Sequence, residues 1–452
     1  MTKQEFKEWM KDKIVILDGA TGSNLQKRGM PTGVCPELWI TEHPDVLIGL
    51  QKEYIEAGSD IVYAPTFSGN RIKLKEYGLE DRLDEINTEL VRICKEAAEG
   101  KALIAGDITM TGAQLEPVGD LKFTELVKVY EEQIAILARE GVDLLVIETM
   151  MSLQETRAAV IAAGHVAPDL PIIATLSFKE TGKTLYGVSA PSAVLTLQGM
   201  GVSAVGLNCS AGPDHLTDVV RAICEVSTVP VIAKPNAGLP TLDENGQTVY
   251  DMKPEEFQKH VAHLVELGAS VIGGCCGTAP EYIKLLHENR DSMKRTAPEQ
   301  ADANTDQLYL CNERTVFSFT DGQELELGDA IDFAENEELM EEYEDEEFDT
   351  AIDLAMDLAD DEMDAIMLTA DGLEKEAEIV TAAIREISQM VQLPFIVSTK
   401  DAETVKAVLE QYSGILAIRL LTEEETVKNT VRSYVKQYGA KLVTIDKKII
   451  SC

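Results

Sequence analysis

Eight short apolar runs in the first 290 or so residues constrain the fold of this chain more than any other feature. They are IVILDG (14–19), DIVYAPT (60–66), ALIAGD (102–107), DLLVIET (143–149), PIIATLSF (171–178), AVGLNCS (204–210), PVIAKPNAG (230–238) and SVIGGCCG (270–277). Each is nearly continuous in apolar residues instead of alternating, which marks a parallel strand covered on both faces. Amphipathic segments such as TELVKVYEEQIAILAREG separate them. Eight strand–helix units in about 290 residues predict an α/β fold, a (β/α)8 TIM barrel. A doubly wound open sheet is the alternative, and the count of eight favours the barrel.

Several runs end in a polar or reactive residue: Asp18, Thr66, Asp107, Glu148, Asn208 with Cys209, Asn236, and Cys275 with Cys276. Barrel active sites lie at the C-terminal ends of strands, so these groups are expected around one mouth. The three cysteines are distant in sequence, yet the sixth and eighth strands of a barrel bring them together there. Three thiolates with one open position form a catalytic zinc arrangement, whereas a structural site has four protein ligands, often in paired CxxC knuckles that this sequence lacks. Gly273, Gly274 and Gly277 let the backbone turn sharply enough to present both adjacent sulfurs. The competing reading is small buried cysteines packing a barrel end. The DGATG turn, with Gly19, Ala20 and Thr21, offers backbone N–H groups suited to an anion such as a carboxylate.

The stretches ILDGATGSNLQKRG, EHPDVLIGLQKEYIEAGSDIVYAPTFSGN, GLNCSAGP, KPNAGLP with ENGQTVY, and GGCCGTAP together resemble the homocysteine S-methyltransferase family. Within it they are most similar to the homocysteine-binding barrels of cobalamin-dependent methionine synthases. The resemblance covers residues 1–290. It implies that Cys209, Cys275 and Cys276 bind Zn2+ and form the catalytic centre, with the homocysteine thiol in the fourth position. It also implies that Asp18 and Glu148 receive the substrate's ammonium; Asn208 and Asn236 are candidate orienting groups. Zinc deprotonates a coordinating thiol and keeps the thiolate ready to attack. The expected reaction is methyl transfer to homocysteine, giving methionine. The expected donor is methylcobalamin carried by a separate corrinoid protein, because no Asp-x-His-x-x-Gly stretch of a corrinoid domain is present. Two rivals are a sulfonium donor such as S-methylmethionine, and a non-catalytic zinc-binding interaction protein.

Residues 291–308 (DSMKRTAPEQADANTDQL) are polar and are expected to be a linker. Residues 309–452 resemble a truncated, diverged folate- (pterin-) binding barrel, opening with LYLCNERT (308–315) and continuing with DAIMLTA, PFIVSTK, ILAIRLL and KLVTID. Five such strands do not close a barrel, so a smaller open parallel α/β domain is expected. Asn312 and Asp371 remain from the acidic and asparagine strand ends of folate barrels, and folate binding is not expected. The acidic run DFAENEELMEEYEDEEFD (332–349) is expected to be a solvated helix or loop, with a docking surface as the alternative. This domain is expected to seat the partner or to join two subunits as a homo-oligomer.

The net charge of −39 argues against nucleic-acid binding, which needs basic patches. No apolar run reaches the roughly 18 residues of a membrane span. The start has no signal-peptide layout, and the expected location is cytoplasmic. There the eight scattered cysteines are expected as thiols or metal ligands, not disulfides. Cys35, Cys94, Cys224, Cys311 and Cys452 have no partner spacing. The six histidines, His43 and His263 among them, show no metal pattern, and Trp39 is expected to pack.

Overall fold

A computed structural model describes residues 1–242, 248–295 and 306–451. The chain divides into two compact units, Met1–Val194 with Val202–Asp302, and Ala303–Cys452 with Leu195–Gly201.

The first unit is built on the eight apolar runs. Its strands are Val15–Ile16, Ile61–Ala64, Leu103–Ile108, Leu144–Met150, Ile172–Leu176, Ala204–Cys209, Val231–Pro235 and Ala269–Ile272. All neighbours pair in parallel, the first strand beside the eighth and the rest in sequential order. A parallel bridge between Leu17 and Ile61 joins the two ends of the sheet, and the Asp60 N–H donates to the Ile16 carbonyl at 2.7 Å. The sheet is therefore a barrel.

Its interior is packed, not hollow. Val15, Leu17, Ile61, Tyr63, Ala105, Leu144, Val146, Ile173, Ala204, Ile232 and Val271 form one buried cluster. These side chains recur at every second position of their strands, as a period-2 pleat requires. Phe6 and Met10 of the N-terminal helix Lys3–Met10 join the same cluster and close the end at which the strands begin. That helix starts in a capping box between Thr2 and Glu5, which satisfies two of its free N–H groups. The opposite end, where the strands finish, receives the polar residues. An antiparallel pair, Thr241–Leu242 with Thr248–Val249, follows the seventh strand; the Glu244–Gln247 part of the quoted ENGQTVY motif lies outside the described residues.

The second unit holds a six-stranded sheet: Ile331–Asp332, Ile366–Thr369, Phe395–Thr399, Ala417–Leu420 and Lys441–Val443 in sequential parallel order, then Ile449–Ile450 antiparallel at the edge. Helices Glu337–Glu344 and Asp349–Asp360 form the first crossover, and Glu376–Met390, Ala402–Gln411 and Glu425–Tyr438 form the next three. LYLCNERT corrects the sequence reading: it is not the opening parallel strand. Gln307–Cys311 pairs antiparallel with Val316–Thr320, because Asn312 Oδ1 accepts the N–H groups of Arg314 and Thr315 and turns the chain back. The sheet opens instead at the two-residue strand Ile331–Asp332, too short to register as an apolar run. The middle of the acidic stretch is helix Glu337–Glu344, capped by Asn336. Of the expected linker, 296–305 lies outside the described residues; its flanks are a short 3-10 turn at Arg290–Ser292 and the strand beginning at Gln307.

Candidate active site

Cys209 is the last residue of the sixth strand, and Cys275 and Cys276 follow the eighth. Pro235, ending the seventh strand between them, pairs with Cys209 in register and accepts the Cys275 N–H at 2.7 Å. The Ala237 N–H then donates to the Cys276 carbonyl at 2.9 Å. These backbone bonds bring the three sulfurs within 4.8 Å of one another. No other such group of His, Cys, Asp or Glu occurs among the described residues. Two glycines are needed here. A Cβ on Gly274 would stand 2.4 Å from Thr278 Oγ1, and Gly277 has a φ of +83° with the Tyr250 ring against it. Cys209 and Ser210 take left-handed conformations, with φ of 60° and 66°, at a cost of about 1–3 kcal/mol each.

Hydrogen bonds, first from Cys209 and then from Cys275, pull the Cys276 thiol down to about 3, while the bonds of Cys209 with Cys275 and then Cys276 push Cys209 far up. Three sulfurs this close cannot all ionise unless a cation joins them. In a tetrahedral zinc site, Zn–S bonds of about 2.3 Å put sulfurs about 3.8 Å apart, which the observed cluster can accommodate. The donor set therefore fits Zn2+ with one position open.

Beneath the sulfurs lies a floor of buried polar side chains. Asp18, Asp107, Glu148, Asn208, Lys234 and Asn236 are all buried. Asp18 Oδ2 accepts the Tyr63 N–H at 2.8 Å, and its Oδ1 lies 3.6 Å from Lys234 Nζ. Glu148 Oε2 is 4.0 Å from Lys234 Nζ and 3.3 Å from Asn208 Nδ2. Lys234 Nζ also stands 4.6 Å from the centre of the Tyr63 ring. Burial raises Asp18, Asp107 and Glu148, the last to about 8, while Glu148 first and then Asp18 raise Lys234 against its own desolvation. Four buried polar atoms here have no hydrogen-bond partner: Asp18 Oδ1, the Tyr63 hydroxyl, Asp107 Oδ1 and Asn236 Oδ1. Native interiors rarely leave such atoms unpaired, so each calls for a partner such as an ordered water, an ion or a ligand.

Asn208 organises this floor. Its Oδ1 accepts from the Thr149 N–H and from Thr175 Oγ1, each at 2.8 Å, and its Nδ2 donates to Thr149 Oγ1 at 2.7 Å. Thr149 has a φ of 60°, inside a bulge of the fourth strand that spans Glu148 and aims its carboxyl. The DGATG turn is tied to the cysteine turn: Thr278 Oγ1 donates to the Cys275 carbonyl at 2.7 Å and accepts the Ala20 N–H at 3.2 Å. A Cβ on Gly19 would lie 2.6 Å from the Tyr54 hydroxyl, so the close approach requires glycine.

The structure thus places Cys209, Cys275, Cys276, Asp18, Glu148, Asn208 and Asn236 around one mouth, with Gly19, Ala20 and Thr21 at its side. Thr66 is used differently: its hydroxyl exchanges hydrogen bonds with the Asp107 backbone, at 2.8 and 3.0 Å, and braces two strands. Cys35, Cys94 and Cys311 are buried thiols outside the cluster, and Cys452 lies outside the described residues. Trp39 stacks on His43. Sequence reasoning missed Lys234, although a lysine inside an apolar run was its signal. It also missed Tyr63 and Thr278, which sequence does not distinguish from packing residues. No helix among the described residues is long and apolar enough to cross a membrane.

Comparison with known proteins bears on this arrangement. Residues 15–290 match the family model described as homocysteine S-methyltransferase. Curated relatives include the methionine synthases of Mycobacterium tuberculosis (strain ATCC 25618 / H37Rv), 29% identical over 63% of this chain and 25% of the relative, and Mycobacterium leprae (strain TN), 29% identical over 61% and 24%. The chain spans about a quarter of the length of these relatives. Among solved structures, the metallated homocysteine methyltransferase MmuM from Escherichia coli shares the fold, with a TM-score of 0.53 and 20% identity over 62% of this chain and 98% of that one. The family match covers well over half of the chain and includes every strand and side chain of the barrel mouth: this protein belongs to the homocysteine S-methyltransferase family.

Proposed function

We propose that the chain catalyses zinc-dependent methyl transfer to homocysteine, forming methionine. The observation that carries this reading is the convergence of Cys209, Cys275 and Cys276 above a carboxylate-lined floor with unpaired buried acceptors. The three cysteines would hold the zinc; when bound, it lowers the pKa of a substrate thiol and leaves a nucleophilic thiolate. Asp18 and Glu148 meet the α-ammonium. The Gly19–Thr21 turn meets the carboxylate through its N–H groups, the Ala20 N–H exchanging Thr278 Oγ1 for the ligand. Asn208 holds Glu148 in place.

In the transfer, the substrate sulfur lone pair forms the new S–C bond. The bond from the methyl carbon to the donor breaks, and its electron pair leaves with the donor. The thiol proton is lost on binding, so no general base is needed in the transfer step. The proposed donor is methylcobalamin on a separate corrinoid protein, as the resemblance to cobalamin-dependent methionine synthases suggests.

Two measurements test the proposal. Metal analysis should give about one zinc per chain, lost when the three cysteines become alanine; full zinc in the triple variant refutes the site. Methionine formation should then be assayed with methylcobalamin, a methylated corrinoid protein, S-methylmethionine and S-adenosylmethionine. Turnover with a sulfonium alone replaces the corrinoid donor, and no turnover with any donor removes the catalytic reading.

A further inference from the structure

Lys234 is a charged side chain inside a barrel strand, 3% exposed, and the proposed chemistry gives it no role. Its neighbour in register on the sixth strand is Asn208. Its ammonium stands between the two carboxylates assigned to the substrate, 3.6 Å from Asp18 Oδ1 and 4.0 Å from Glu148 Oε2, with the Tyr63 ring centre at 4.6 Å. A buried lysine carries a large desolvation cost and persists only where its partners need it. Here two carboxyls, Asp18 and Glu148, share this one cation, and acceptor atoms on Asp18 and nearby Asp107 still lack a hydrogen bond.

We propose that Lys234 is a positioning residue that determines specificity: it holds Asp18 and Glu148 apart, facing the mouth, so that the site selects a thiol bearing an α-ammonium. The inference rests on the homocysteine reading above. Without a cation between them, neighbouring buried carboxyls share a proton and turn toward one another. A carboxyl engaged in that way no longer offers a charge-assisted bond to an ammonium. The sulfur end of the site is held in place by other bonds, those of Pro235, Ala237 and Thr278.

The test compares homocysteine with its des-amino analogue, 4-mercaptobutanoate, by calorimetric binding to the zinc-loaded full chain. In Lys234→Met, the dissociation constant for homocysteine should rise about tenfold or more, the size of one lost charge-assisted hydrogen bond. That for the analogue should change less than about threefold, because it makes no such bond. Zinc content should stay unchanged. If Lys234→Met does not fold, Lys234→Gln removes the charge while keeping a donor and gives the same reading. Equal weakening of both thiols makes Lys234 merely structural and overturns the proposal, as does unchanged homocysteine binding. A wild-type chain that binds neither thiol overturns the homocysteine reading, and this inference with it; one that binds both but loses no selectivity in the variant overturns only the inference.

Discussion

At Asn208 a single amide links the fourth, fifth and sixth strands and fixes where Glu148 points. Its bonds to Thr149 and Thr175 hold a left-handed residue inside a bulge, so the aim of the carboxyl is set by backbone, not by side-chain choice alone. That is why Glu148 as a strand-end acid was legible in the sequence while its mode of support was not: bulges leave no mark in a pattern of apolar residues. Glu148→Gln should weaken homocysteine binding by roughly 1–3 kcal/mol and leave zinc bound, as calorimetry and metal analysis can check. The same substitution has a pH signature. Burial pushes Glu148 up to about 8, above its value in the unfolded chain. The favourable contribution of its protonated form is therefore complete below the unfolded carboxyl range and is lost as pH rises through about 8. Urea midpoints of the zinc-free proteins should show Glu148→Gln gaining on the wild type between acidic and alkaline pH; parallel curves would contradict the raised value.

Among the elements, the eight strands were legible because a parallel strand covered on both faces must be apolar throughout, and each run coincides with a strand. The convergence of the cysteines was legible for the same reason, since barrel topology fixes which strand ends meet. What the sequence hid were elements made by pairing instead of hydrophobicity: the hairpin at Gln307–Thr320, the two-residue edge strand Ile331–Asp332 and the last antiparallel strand. Helix Lys3–Met10 was hidden too, because its Phe6 and Met10 look like an ordinary amphipathic pair until they are seen among the inward residues of the strands. Phe6→Ala should cost about 3–5 kcal/mol of stability, the range for deleting a buried aromatic ring, measured by chemical denaturation. A loss below about 1 kcal/mol would mean that the helix only rests on the barrel.

For the whole molecule, the net charge of −39 governs the long-range electrostatics. Like charges repel in the compact state, and salt screens them: the Debye length falls from about 30 Å at 0.01 M to below about 10 Å at 0.2 M. The melting temperature should therefore rise over that range of added salt in a calorimetric scan. A flat or falling trend would mean that local ion pairs outweigh the net repulsion. The plug at the lower end of the barrel bears on turnover as a whole. With Phe6 and Met10 filling that end, the barrel is a vessel with a single door, and on the proposed function everything must queue at it. On that proposal the amino-acid thiol would go in first, the methyl carrier would then stand on the threshold, and methionine would leave only after the carrier had stepped away.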